Sequence, residues 1–289
     1  MSDLPSPLAN LRRDGGYYAL GLRTSFRITG EDRIRYLNGQ VSNDLGKLVP
    51  GSACHALILT AKGKLCAEVF IWAEGDSLRI DADPAVADSL PARLERYAVA
   101  DDVDFDWQVP SPRYHVFGPA AALCDGLQVR RLGVKGVDLD DVPPGPAEAT
   151  PEQVECLRIE RGVPRWGFEL GENTLPQEAG LERTAVDFHK GCYVGQEVVS
   201  RIQSVGRTNR SLCGFLGNFD PANCRSATLL SPAGAKSGTL ESAIFHPDLQ
   251  KSIALGYLDR RSEGESFSVF NESGACLGEA ERSEFPLVS

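Results

Sequence analysis

Residues 187–201 read Asp187-Phe-His-Lys-Gly-Cys-Tyr-Val-Gly-Gln-Glu-Val-Val-Ser-Arg201. Of the eight cysteines in the chain, Cys192 alone has such polar and cationic neighbours: His189 and Lys190 precede it and Arg201 follows. Val194 to Ile202 reads as a helix, which puts Cys192 at a helix N-terminus, where the backbone dipole and the cations favour a thiolate. Gly191 and Gly195 permit the tight backbone that close approach to a ligand requires. From 183 to 210 there are five Lys or Arg and two Asp or Glu, locally +3 in a chain of net charge −10. That pattern suits a small site for one anion. Taken without further context, a cysteine in a Gly-flanked turn is more often structural than reactive, and Lys190, Arg201 and His189 are more often solvated or hydrogen-bonded surface groups.

Working outward, Phe26 to Ile28 reads as a strand, and Asp32 opens a helix through Ile34 and Leu37 that Asn38-Gly39 should end. Ala53–Leu59 and Leu65–Trp72 are apolar strands joined by the hairpin-like Thr60-Ala-Lys-Gly-Lys64, with a third strand at Ser77–Ala82. Asp83 and Pro84 start a helix expected to run to about Tyr97. Residues 138–149 are acidic and Pro-rich and read as a linker. Behind them Thr150, Pro151 and Gln153 supply a cap, an N1 proline and a capping-box partner for a helix that Gly162 stops. Short runs at Leu212–Leu216, Ala254–Leu258 and Phe267–Phe270, separated by Gly, Pro, Asn and Ser, read as a small β-barrel.

Composition narrows the function classes. At 289 residues with 42% hydrophobic content the chain can bury a sizeable core without disulfides, and more than one domain is expected. The net charge of −10 argues against broad binding to nucleic acid or an anionic membrane. The opening MSDLPSPLANLRRDGG lacks an apolar segment of signal-peptide type, and Asp3 and Asp14 argue against a transit peptide, so a cytoplasmic protein is expected. No two cysteines form C-x-x-C, which leaves no grouped thiolates for a resident zinc or iron–sulfur site.

Lys190-Gly-Cys-Tyr-Val-Gly-Gln-Glu197 resembles the K-G-C-Y-x-G-Q-E signature of the YgfZ family of folate-binding iron–sulfur assembly proteins, relatives of the glycine-cleavage T-protein. Arg158-Ile-Glu160, Gly162-Val-Pro164, Gly167 and Leu175-Pro-Gln-Glu178 resemble the segment upstream, and Gly206-Arg-Thr-Asn-Arg210 its continuation. Gly30–Asn43 with Ser42-Asn-Asp44, and Ser237-Gly-Thr through Ile253-Ala-Leu-Gly-Tyr257, extend the likeness over nearly the whole chain. It implies an α+β, T-protein-like folate-binding scaffold of mixed sheet and helix layers over 1–205, as two interleaved subdomains, with a small β-barrel over 206–289.

The same resemblance implies tetrahydrofolate or a derivative as cofactor, and support of iron–sulfur client enzymes or assembly proteins, tRNA-modifying enzymes among them, as the role. Cys192 and Lys190 are then the chemical residues, and Glu160, Tyr193, Gln196, Glu197 and Arg201 the folate-binding ones. The acid that serves aminomethyl transfer in T-proteins falls at Ala67, or loosely at Glu68, within Gly63-Lys-Leu-Cys-Ala-Glu68. Its absence from position 67 argues against aminomethyltransferase activity. That activity, and a folate-binding module without chemistry, are the two rival readings.

Overall fold

A computed structural model of the chain describes residues 6–204 and 206–288; the first five residues, Asp3 among them, Val205 and Ser289 lie outside it. The chain opens with α1 (Pro7–Asp14), capped by the Ser6 hydroxyl, which accepts from the Ala9 N–H. It continues into β1 (Gly16–Thr29). This long strand bends at a bulge between Ala19 and Gly21, where Gly21 has φ +74°. Residues 16–23, on both sides of the bulge, pair with β6, and residues 24–29 pair with β4 and β5, so β1 joins both halves of the large sheet. Then follow α2 (Arg33–Gln40), β2 (Cys54–Leu59), β3 (Leu65–Glu74), β4 (Ser77–Ala82) and α3 (Ser89–Glu95). β5 (Asp104–Trp107), β6 (Ser111–Phe117), β7 (Leu127–Val129) and β8 (Gly136–Leu139) complete an eight-stranded sheet of order β2-β3-β4-β1-β6-β8-β7, with β5 paired to β1.

Two local readings need correction. Asn38-Gly39 does not stop α2, which runs to Gln40 because the Val41 N–H still reaches the Leu37 carbonyl at 3.1 Å. The helix expected from Pro84 to Tyr97 is a single 3-10 turn at Pro84–Val86 and then the short α3.

β2 and β3 are buried on both faces, which explains their continuous apolar runs. Ala56, Ile58, Ala67, Val69 and Ile71 join Phe26, Leu37 and Ile80 in one core beneath the sheet. Leu57, Leu59 and Leu65 face the other way, against Leu170, Leu181, Tyr193 and Val199. A bulge skips Cys66 between the pairs Ile58↔Ala67 and Leu59↔Leu65, which puts Leu65 on the opposite face from Ala67 despite its even spacing.

The proposed linker is only partly free of structure. Asp138 belongs to β8 and is 2% exposed, because Arg131 and His115 hold it in a buried ion cluster. The chain from 140 to 149 is irregular and leads to α4 (Pro151–Glu160), where the Thr150–Gln153 capping box forms as read. α4 brackets the molecule: Leu157 packs with Leu8 and Leu11, and Ile159 with Ile253 and Leu255 of the barrel. Each such fully buried side chain stabilises the bracket by about 1.5–3 kcal/mol. After α5 (Gln196–Ser204) come β9 (Arg210–Phe219), β10 (Ala227–Leu230), β11 (Lys236–His246), β12 (Lys251–Asp259), β13 (Ser266–Phe270) and β14 (Cys276–Ser283), closed in the order β10-β11-β12-β9-β14-β13. Phe215, Leu229, Leu240, Phe267 and Val269 fill that barrel.

Candidate functional site

Two places carry chemistry, and they share little. The first is a cavity of about 1210 Å³ above β2 and β3, walled by the loops after β6 and α4 and by residues 179–184. Side chains alternate along a strand, so the face opposite Ala67 and Val69 presents Glu68 and Phe70. His55 stands directly across from Phe70 and diagonally from Glu68. Its ring stacks on Phe70 at 4.8 Å and 12°, and its Nε2 hydrogen-bonds Glu68 Oε1 at 2.8 Å. Ala67 is fully buried in the core beneath, so the acid at this turn of the scaffold is Glu68, facing the cavity. Of the two positions that the resemblance offers for the acid, 67 points into the core and 68 into the cavity.

Arg131 lies over Phe70 at 4.5 Å and forks between Asp138 and Asp81. Burial would raise the Asp138 carboxyl, yet the Arg131 charge and the hydrogen bond from His115 hold it down at about 2. Arg161, Arg130 and Lys135 also line the cavity. Arg161 Nη1 is buried with no hydrogen-bond partner among the described residues, and desolvation lowers its guanidinium pKa. An unpartnered buried guanidinium donor in a cavity wall is a place for an anionic group.

The second place is the signature loop. Asp187 N–H donates to the Ser42 carbonyl at 3.0 Å, Ser42 Oγ donates to the Ala185 carbonyl at 2.6 Å, and Val194 N–H donates to the Gly39 carbonyl at 3.2 Å. Gly195 has φ +88°, and a Cβ there would meet the Thr60 carbonyl at 2.6 Å, so the turn beside the β2–β3 hairpin demands glycine. Lys190 turns inward. Its ammonium donates to the carbonyls of Asn38, Val41 and Asn43, each at 2.7 Å. Burial pulls it down to about 8, against the nearby charges of Asp44 and Asp187. Lys190 thus tethers the loop, with its ammonium directed to carbonyls at and just after the end of α2. Tyr193 is 7% exposed and fills the core against Leu57 and Leu65, with its hydroxyl buried and without a partner among the described residues.

What remains outside is Cys192, exposed, with exposed Gly191 beside it. It precedes α5 by four residues, so it is not the helix N-terminal residue that the periodicity suggested. His189 points to solvent, its side chain 94% exposed. Burial pushes the Cys54 thiol up to about 11 and that of Cys156 up to about 12, and raises Cys66 and Cys213 as well. Cys276 is the other exposed cysteine.

The remaining sequence candidates are dispersed. Gln196 opens α5, and Glu197 and Arg201 are exposed on it. Glu160 sits at the end of α4 with both carboxylate oxygens engaged by Arg12, at 2.6 and 3.0 Å, and with His246 at 2.8 Å. Those bonds hold its pKa below the usual range although burial alone would raise it. Its oxygens are taken, and it serves to join α1, α4 and the barrel. None of Glu160, Lys190, Cys192, Tyr193, Gln196, Glu197 or Arg201 is among the described residues that line the large cavity. Sequence reasoning missed His55, Phe70, Arg131 and Arg161. A histidine at the head of an otherwise apolar β2 run was the one available signal.

No family model matches the chain. The chain is 27% identical to the mitochondrial aminomethyltransferase of Gallus gallus over 285 residues, covering 80% of this chain and 71% of that protein. It is 29% identical to the mitochondrial iron-sulfur cluster assembly factor IBA57 homolog of Pyricularia oryzae, covering 66% of this chain and 54% of the relative. It is 25% identical to the tRNA-modifying protein YgfZ of Yersinia pestis, with 75% and 76% covered. The glycine cleavage system aminomethyltransferase T from Bartonella henselae superposes with a TM-score of 0.74 at 16% identity, over 99% of this chain and 91% of that one. The fold is that of the aminomethyltransferase, ending in a closed six-stranded barrel, and the chain is related to the YgfZ and IBA57 proteins as well as to aminomethyltransferases.

Proposed function

We propose that this protein is a tetrahydrofolate-binding factor that supports assembly or repair of iron–sulfur clusters in client enzymes, and that Cys192 is the group it presents to them. The observation that carries the reading is the placement of Cys192. A reactive group acting on a cofactor of its own would lie in the cavity; this one is exposed, on a loop whose neighbours on both sides are tethered. Such a thiol is accessible to a partner's iron or sulfur. The similarity to a named iron-sulfur cluster assembly factor supports the same role.

The cavity fits a folate. Glu68 offers an acceptor for pterin N–H and amino donors, and Arg161, with Arg130 and Lys135, offers cations for the glutamyl carboxylates. Tetrahydrofolate when bound supplies a reduced pterin that carries one-carbon units. His55, stacked on Phe70, holds the Glu68 carboxylate from the side, and the walls reduce its exposure to water.

One observation favours aminomethyl transfer as a second reading: Glu68, one of the two positions to which the resemblance carries the transferring acid, faces the cavity. The two readings part on a deletion strain rescued with Glu68→Gln or Cys192→Ala. The first predicts that Cys192→Ala fails to restore cluster-enzyme activity. Full rescue by Cys192→Ala, with turnover of an aminomethyl-lipoyl carrier by the purified protein at about 1 per second or faster, would establish the second.

A further inference from the structure

On the barrel side of α5 two adjoining hollows, of about 540 and 1220 Å³, share Arg207, Asp259 and Arg260 in their walls. Their edges are the β10–β11 turn, the loop after β12 and the chain that leaves α5. The larger one is lined by Arg207, Lys236, Arg260 and Arg261 against Asp259 and Glu263, a local excess of cations in a chain of net charge −10. All four cations are exposed, and among the described residues none makes an ion pair or side-chain hydrogen bond. The other arginines of the neighbourhood are committed: Arg210 to Glu178 at 3.1 Å, and Arg282 to Glu265 at 3.8 Å. Most arginines in this protein have carboxylate partners, so a groove with four unpaired cations departs from the rest of its surface.

We propose that this groove docks an acidic polypeptide segment of a partner protein. Three features select that occupant. The charge is complementary to carboxylates. Asp259 and Glu263 interrupt the cations, which suits spaced carboxylates and works against the continuous run of phosphates on a nucleic acid. Among the described residues no aromatic side chain lines either hollow, so these walls offer a base no ring to stack on. Position adds to this. α5 connects the groove at one end to the Cys192 loop at the other, over nine residues or about 13 Å of helix. A partner seated on the groove lies along the same helix as the thiol. The identity of that partner as an iron–sulfur client rests on the function proposed above; the affinity for acidic chain does not.

The test is fluorescence anisotropy with a labelled ten-residue peptide carrying Asp or Glu at every second position, the full-length protein, and the double variant Arg260→Glu, Arg261→Glu. The peptide is expected to bind the wild type, to weaken as salt rises from about 50 to 300 mM as exposed charge pairs are screened, and to weaken at least about tenfold in the double variant. A labelled ten-nucleotide RNA is expected to bind at least about tenfold more weakly than the peptide. Peptide binding indifferent to the charge reversal, or RNA binding tighter than peptide, would overturn the proposal. Circular dichroism and tetrahydrofolate titration of the double variant separate the outcomes. Intact fold and folate affinity with no peptide binding by the wild type defeat the groove alone, whereas absence of folate binding by the wild type defeats the functional reading.

Discussion

The cavity over β2 and β3 and the loop around Cys192 lie on the same face of the sheet, yet they are built in opposite ways. The cavity is assembled from residues far apart in the chain, His55, Glu68, Arg131 and Arg161, of which only Glu68 stands in a stretch that the sequence singles out. The loop is a contiguous eight-residue signature, and most of it is architecture: Lys190 caps carbonyls, Tyr193 fills the core, and Gly195 permits a turn. A recognisable motif is thus largely the frame for one exposed atom group, while the site with volume and unpaired charge leaves almost no trace in sequence. Asn43 joins the two. Its amide donates to the His55 carbonyl at 2.8 Å, and its own carbonyl accepts from Lys190.

The cavity wall gives the largest expected effect. Arg131→Met leaves buried Asp81 with Arg23 alone and buried Asp138 with His115 alone, and it should destabilise the fold by about 3–5 kcal/mol in a urea titration. A loss below about 1 kcal/mol would mean that the ion cluster does not brace this wall. The same cluster sets the acid limb. The Asp138 carboxyl titrates at about 2 when folded against 3.8 when free, so its contribution is fully present above about pH 4 and lost as pH falls through 2. It should amount to about 2 kcal/mol, seen as an acid-unfolding step that Asp138→Asn removes.

Lys190→Met comes next, at about 1–2 kcal/mol, because three carbonyls lose a buried donor. Through Asn43 it should also disturb the cavity and weaken tetrahydrofolate a few-fold. Unchanged stability with lost cluster-enzyme rescue would return Lys190 to a chemical role. The smallest effect is local. Glu68→Gln or Arg161→Ala should weaken tetrahydrofolate by about tenfold, or 1.4 kcal/mol, by calorimetry, with melting unchanged within about 0.5 kcal/mol. Equal loss of folate on Glu160→Gln, with Arg12 and the fold intact, would move the pterin acceptor back to α4.

Hairpin, capping box and barrel were legible because each rests on local rules: alternation, a hydroxyl three residues before an amide side chain, and turn residues between short runs. The position of the acid was not, since one skipped residue at Cys66 and the alternation after it decide which of Ala67 and Glu68 faces the cavity. Glu160 misled for a related reason. Its partners Arg12 and His246 lie 148 and 86 residues away, and nothing within α4 shows that its oxygens are already taken. The inward turn of Lys190 depends on carbonyls about 150 residues upstream, which spacing within the signature cannot reveal.

The claim that folate cavity and exposed thiol are separate parts of one device is tested most directly by one protein, Cys192→Ala. Measured side by side, its tetrahydrofolate affinity should match the wild type within about twofold, a difference of under about 0.5 kcal/mol, while it fails to restore iron–sulfur enzyme activity in a deletion strain. Full rescue by Cys192→Ala, or loss of its folate binding with the fold intact, would contradict that account.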